Sequence, residues 1–210
     1  NISTVIATGS PFMANFHAAK LKIFFPNLNL IQDFRDPWSQ DYIYDNDTRR
    51  KKILHHERVG IENADYVVSV TAGLTERFLK DHQPFSNAKF LTIENGYDGE
   101  LVQSVRIEVP RKNQIIYVGN VFAGRGKPLD EFLKAYIRAF HEKMSLPDLI
   151  FVGTRFNKVQ LTSMSSVLNS KIFIEEHCSQ RKAFEWIASS RFALQLNSLE
   201  YPFLVSTKVY

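Results

Sequence analysis

Three stretches of the sequence combine residue types able to hold anions or polar ligands. GNVFAGRGKP (119–128) carries Gly119, Gly124 and Gly126 with Arg125 and Lys127. Glycines let backbone N–H groups approach an anion closely, and the two cations can neutralise a diphosphate. It is not a Walker A loop, because Arg125 rather than lysine follows Gly124 and no Ser or Thr follows Lys127. The alternative is a glycine turn with solvated cations. NSLEYPFLVSTKVY (197–210) places Ser206, Thr207 and Lys208 where a helix begins, the setting of a second anion site or of an ordinary N-cap. QDFRDPW (32–38) concentrates Asp33, Arg35, Asp36 and Trp38. Two carboxylates around an arginine form either an internal salt-bridged turn or a polar ligand site, with Trp38 available to stack on a sugar ring.

Other candidates are weaker. His55 and His56 are adjacent on an expected helix, about 100° apart, so they cannot share a metal ion. No metal site is expected. Arg49, Arg50, Lys51 and Lys52 read as a solvated helix face that could also touch anionic lipid, and no aromatic interleaving supports nucleic acid there. His177, next to Cys178 at a strand end, either contacts a ligand or fills that end. His17 reads as structural.

Short β-branched apolar runs alternate with amphipathic stretches along the chain, which is the pattern of parallel α/β sheets with crossover helices. Strands are expected at 4–8, 28–33, 66–71, 89–94, 114–119, 148–153, 172–176 and 192–197. Helices are expected at 14–24, 41–63, 72–81 and 128–144, the last with Pro128 in its first turn. The composition of 95–113 is that of a connection, so we expect one domain over 1–100, a link at 101–113 and a second domain over 114–210. In such sheets ligands bind beyond the carboxyl ends of the strands, where the glycine and hydroxyl loops above fall.

The chain has 210 residues, of which 44% are hydrophobic and 23% charged, within the globular range and outside the fibrous or disordered one. No apolar run reaches the roughly 20 residues of a membrane helix. One cysteine gives neither an internal disulfide nor a metal-ligand spacing. The net charge of +4 suits phosphate-bearing ligands or an anionic membrane surface. A strand follows Asn1 almost at once and STKVY stops at a helix start, so the sequence reads as an excerpt.

Taken in order, ATGSPF, DFRDPW, Glu57 followed by NADYVVSVT, IENGYD, YVGNVFAGR, FVGT, EEH and LQLNSLEYPFLVSTKVY resemble the GT-B glycosyltransferases of the family-four-like type, which build bacterial surface polysaccharides. The resemblance spans the whole chain. It implies two Rossmann-like domains facing each other across a cleft, both incomplete here, the first taking the acceptor and the second a UDP- or GDP-linked sugar. It implies sugar transfer to a hydroxyl of a saccharide or lipid-linked acceptor, without a metal or other cofactor. By position, Gly119, Asn120, Arg125, Lys127, His177, Ser206, Thr207 and Lys208 would approach the donor, and Ser10, Arg35, Asp36 and Trp38 the acceptor. Arg125, Lys208 and Asp36 would act in catalysis, the cations by stabilising the departing diphosphate. A cytoplasmic place at or near the inner face of the cell membrane follows from the same resemblance, with no nucleic-acid partner.

Two departures keep alternatives open. Gly9 and Ser10 stand where many relatives have a catalytic histidine, and Asn120 stands where an arginine is usual. A non-catalytic binding or scaffold protein and a GT-B-fold sugar-nucleotide epimerase therefore remain alongside transfer, and the excerpt by itself is expected to be inactive.

Overall fold

The computed structural model describes residues 2–39, 47–82, 84, 86–105, 110–121, 124–198 and 201. They form two compact units, one reaching to Asn95 and one running from Gly96 to Tyr201.

The first unit alternates β1 (Thr4–Thr8), α1 (Met13–Phe24), β2 (Asn29–Phe34), α2 (Asp47–Glu62), β3 (Tyr66–Ser69), α3 (Ala72–His82) and β4 (Lys89–Thr92). All four strands are parallel, in the spatial order β1-β2-β3-β4. Right-handed crossovers that always step the same way place every helix on the same face. Alternate strand residues confirm this: Phe34, Val67 and Phe90 share a core with Ile61 of α2 and Leu74 and Phe78 of α3, with Phe16 of α1 packed against it. On the opposite face Ile6, Ile31, Val68, Leu91 and Ile93 line a cavity of about 370 Å³. Among the described residues no helix covers that face.

The second unit comprises α4 (Gly99–Ser104), β5 (Lys112–Val118), α5 (Gly126–His141), β6 (Asp148–Val152), α6 (Lys158–Met164), β7 (Ile172–Glu175), α7 (Gln180–Ser189) and β8 (Ser190–Ala193). Its parallel strands lie in the order β7-β6-β5-β8, so the winding reverses after β7. The reversal carries α7 to the other face. Leu129, Leu133 and Tyr136 of α5 and Met164 of α6 pack on Tyr117, Leu149 and Phe151. Ile116, Ile150 and Val152 face the other way, toward Trp186 of α7. Leu129, Leu133 and Tyr136, at the i, i+4, i+7 spacing, form the buried stripe of α5.

Element types agree with expectation and most boundaries shift by a residue or two. The larger differences are at β8, which begins directly after α7 rather than at 192, at α4, a short helix inside the connecting stretch, and at α6 and α7, for which the sequence reading gave no helix; positions 41–46 of the helix expected over 41–63 lie outside the described residues. Asp98 caps α4, its side chain accepting from the Leu101 amide at 2.9 Å. No helix among the described residues is long and apolar enough to cross a membrane.

Candidate functional site

In the second unit the strand order changes direction at β5, and a parallel sheet leaves its crevice beyond the carboxyl ends at such a point. Three glycines sit there in the left-handed region: Gly119 at φ 97°, Gly124 at φ 74° and Gly153 at φ 67°. An L side chain at those angles is strained. The turns are knit together by side chains. Thr154 Oγ1 donates to the Gly119 carbonyl at 2.7 Å, the Arg155 amide to Asn120 Oδ1 at 3.0 Å, and Tyr117 OH to the Asn120 carbonyl at 3.1 Å. His177, which follows β7, lies against Gly153: a Cβ at that glycine would stand 3.5 Å from His177 Cα and 3.6 Å from its Cδ2. The His177 side chain itself is exposed.

The start of α5 is open. Its N-cap, Arg125, makes no side-chain cap, so among the described residues the amides of Gly126 and Lys127 have no intrahelical or capping acceptor, and Pro128 has no N–H. Lys127 is exposed beside them. Backbone amides, the positive end of a 16-residue helix and an ammonium together suit a phosphate.

Arg125 corrects the sequence expectation. Its residue is only 7% exposed, and its positive charge partly offsets the upward push that burial gives the Tyr117 phenol. The side chain is therefore largely shielded from solvent and lies close enough to Tyr117 for its charge to be felt there, rather than standing on the surface. Asn120 is also partly committed, since its side-chain oxygen holds Arg155. Ser206, Thr207 and Lys208 lie outside the described residues.

In the first unit the carboxyl ends of β1 and β2 meet at Asp33. Its Oδ2 accepts from Thr8 Oγ1 at 2.7 Å and from Arg35 Nε at 3.0 Å, while Oδ1 is buried with no partner among the described residues. Arg35 reaches on to Asn95 Oδ1 at 3.1 Å, tying the end of β2 to the segment after β4. The salt-bridged turn is thus what forms, with Asp33 rather than Asp36 as the partner of Arg35. Asp36 and Ser10 are exposed.

Trp38 is a second correction. It is 2% exposed and stacks on Phe12 at 5.7 Å inside the core with Phe34 and Phe78, so no sugar ring can reach it. The next residue shows why. Glu57 of α2 accepts from Ser39 N at 2.7 Å and Ser39 Oγ at 2.8 Å, and its Oε1 lies 3.0 Å from His82 Nε2 of α3, all three side chains buried. This clasp draws the end of the DFRDPWS loop into the core. Sequence reading passed over Ser39 and His82; Glu57 stood out only as part of a longer string, and no spacing joins residues that far apart. No group of three or more metal-binding side chains exists among the described residues.

No protein-family model matches the sequence, and no curated protein sequence matches it. Solved structures do resemble the fold. The lipopolysaccharide outer core galactosyltransferase WaaB superposes with a TM-score of 0.59 at 13% identity, over 93% of this chain and 50% of its own. TarM of S. aureus, in a complex with fondaparinux, α-GlcNAc-glycerol and UDP, gives 0.56 at 12% identity, over 90% and 36%. A Listeria monocytogenes structure assigned as a UDP-N-acetylglucosamine 2-epimerase gives 0.52 at 12% identity, over 95% and 53%. The chain therefore spans about a third to a half of the length of these proteins, and at such identities the likeness is one of fold. Two parallel sheets, each wound as a Rossmann-like β/α unit and matched in sequence order by these structures, give this chain a fold of the GT-B type.

Proposed function

We propose that this protein is a glycosyltransferase that moves a sugar from a UDP- or GDP-linked donor onto a hydroxyl of a saccharide or lipid-linked acceptor in surface polysaccharide assembly. The observation that carries the proposal is the open α5 N-terminus beside Gly119 at the point where the second sheet reverses. In the reaction the acceptor oxygen bonds to the anomeric carbon, and the bond from that carbon to the diphosphate oxygen breaks, with its electron pair leaving on the nucleoside diphosphate. The growing negative charge is met by the Gly126 and Lys127 amides and the Lys127 ammonium, aided by Ser206, Thr207 and Lys208. His177, held over Gly153, contributes to the nucleotide side. Asp36 offers an exposed carboxylate to the acceptor proton, with Ser10 and Arg35 nearby in the same unit. This chemistry needs no metal or other cofactor.

Calorimetric titration with UDP, GDP and their sugars tests the donor half. Nucleotide binding is expected, weakened about tenfold, or about 1.4 kcal/mol, by Lys127→Ala or Lys208→Ala. Absence of binding by any nucleotide overturns the reading. Mass spectrometry of donor plus an acceptor extract then tests transfer, and binding without any product would favour a scaffold. The likeness to the Listeria structure keeps epimerisation as a second reading. Release of an epimer from the donor with no acceptor present would select it.

A further inference from the structure

The amino-terminal edge of the second sheet, opposite the crevice beyond Gly119, holds a cavity of about 290 Å³ between α7, the start of β5 and the end of α4. On α7, Lys182, Glu185, Trp186 and Ser189 fall at i, i+3, i+4 and i+7, so they share one face, and all four line the cavity. Arg181 and Lys112, the first residue of β5, join them.

The fold fixes this wall. Ser189 Oγ and Ser190 Oγ donate to the Trp186 carbonyl at 3.1 and 2.6 Å, and Gln114 Nε2 of β5 donates to Ser190 Oγ at 2.7 Å, with both serines and the glutamine buried. Lys112 is the register partner of Ser190 in the β5–β8 ladder. Trp186 packs on Ile116, Ile150 and Val152 and keeps part of its surface exposed. An aromatic side chain anchored in this way gives a ligand a fixed surface.

The charges, in contrast, are free to be recruited. Arg181 and Lys182 share one carboxylate, Glu185, at 3.5 and 3.2 Å, and their side chains are 62% and 59% exposed. Exposed pairs of this kind are weak, so an incoming acid takes over the cations at small cost. Lys112 has no carboxylate partner among the described residues.

We propose that this cavity binds an acidic monosaccharide unit, a hexose ring carrying a phosphate or a carboxylate, with the ring against Trp186, ring hydroxyls donating to Glu185, and the acid held by Lys112, Arg181 and Lys182. Cations alone would suit any anion. The tryptophan surface and the hydroxyl acceptor beside them select an anion that also has an apolar ring face and hydroxyls. The volume lies at the lower end of small-ligand pockets, about 300 Å³, which matches one ring. An acyl chain would find Trp186 as its one apolar partner in the lining. The inference does not depend on sugar transfer, because Lys112 begins β5 whereas the nucleotide crevice lies beyond the other end of that strand.

Calorimetric titration of the protein with glucose 6-phosphate and with glucuronate, alongside glucose and inorganic phosphate, tests it. At least one acidic sugar should bind about tenfold or more tightly than glucose or phosphate, the two probes telling a phosphate from a carboxylate ligand. Binding should weaken as salt rises and should alter the emission of Trp186, since Trp38 is buried in the other unit. Lys112→Gln with Arg181→Gln, both at exposed positions, should weaken binding at least about tenfold and leave UDP or GDP binding unchanged, with circular dichroism checking the fold. Lys127→Ala should do the reverse. Failure of both acidic sugars to bind, glucose or inorganic phosphate binding as tightly as they do, a folded double variant that binds like the parent, or loss of acidic-sugar binding in Lys127→Ala would each overturn the proposal.

Discussion

Each unit builds a four-stranded parallel sheet, but the first winds in one direction and the second turns back. The consequence is sharpest between an isoleucine on the edge strand β1 and one on the interior strand β6, although Val68, on an interior strand of the helix-free face, is itself only 6% exposed. Ile150, on the α7 side of the second sheet, is 6% exposed, whereas Ile6, on the helix-free face of the first, is 62% exposed. Reversal covers the second face and, at the same place, opens the crevice where a nucleotide can bind. One-way winding does neither. The units also differ in how helix meets sheet. In the second the contacts are mainly apolar, while the first inserts polar links, among them Gln32 Nε2 to the Asn15 carbonyl at 2.9 Å and Ser69 to Thr75 at 2.6 Å.

The sharpest test exchanges the two isoleucines for alanine. Ile150→Ala should destabilise the second unit by about 2–5 kcal/mol, the range for a buried Ile or Leu, and Ile6→Ala should cost less than about 0.5 kcal/mol. The chain's two tryptophans separate the readings, since Trp38 lies in the first unit and Trp186 in the second. Urea unfolding followed by fluorescence of each single-tryptophan variant would show the contrast. A large cost for Ile6→Ala would mean that the first sheet's open face is covered in solution, and the comparison between the units would fail.

A somewhat smaller loss is expected when the polar clasp is removed. Glu57→Ala leaves Ser39 N, Ser39 Oγ and His82 Nε2 without their acceptor, at a cost of about 3 kcal/mol read at Trp38. A neutral result would show that α2 and α3 are held to their sheet by apolar packing as in the second unit. Less again is expected at the nucleotide side. Gly153→Ala places an L residue at φ 67° and should cost about 1–2 kcal/mol, seen at Trp186, through backbone strain rather than a clash, since the added Cβ would meet His177 at ordinary contact distance.

The period of the apolar residues told where elements lie, because a strand such as β1 or a helix such as α5 carries its own pattern. It could not tell the order of strands. Both sheets alternate in the same way along the chain, and only the tertiary register shows that Ile6 meets no helix while Ile150 does. The candidate loops were legible: Gly119, Lys127 and His177 were named from residue type and position, and Gly119 and His177 follow strands of one parallel sheet, with Lys127 in the first turn of the helix after Gly119. Arg125 and Trp38 misled for one reason. An arginine beside glycines and a tryptophan beside carboxylates look available in one dimension, whereas their burial, for Trp38 against Phe12 and Phe34, is decided by how the chain folds around them. The Glu57–Ser39–His82 clasp was invisible for the same cause.

The smallest expected effect compares the opposite, amino-terminal edges of the sheets. Before β3, Asp65 accepts from the Leu30 amide at 2.7 Å and from Lys22 at 2.9 Å; at the first residue of β6, Asp148 accepts from Lys171 at 2.7 Å. Burial alone would raise the Asp65 carboxyl, but the Leu30 amide and then the Lys22 ammonium outweigh it and hold the group below its ordinary value. A carboxyl depressed on folding contributes stability above its unfolded value, about 3.9, and loses it as the pH falls through the lower folded one. Asp65 is 36% exposed at its side chain, so screening keeps the contribution under about 1 kcal/mol. The first unit's unfolding midpoint, read at Trp38, should therefore decline as pH drops below about 4, and Asp65→Asn, which still accepts from Leu30, should flatten that decline. An unchanged slope in the variant would show that Asp65 does not carry the acid sensitivity of the first unit.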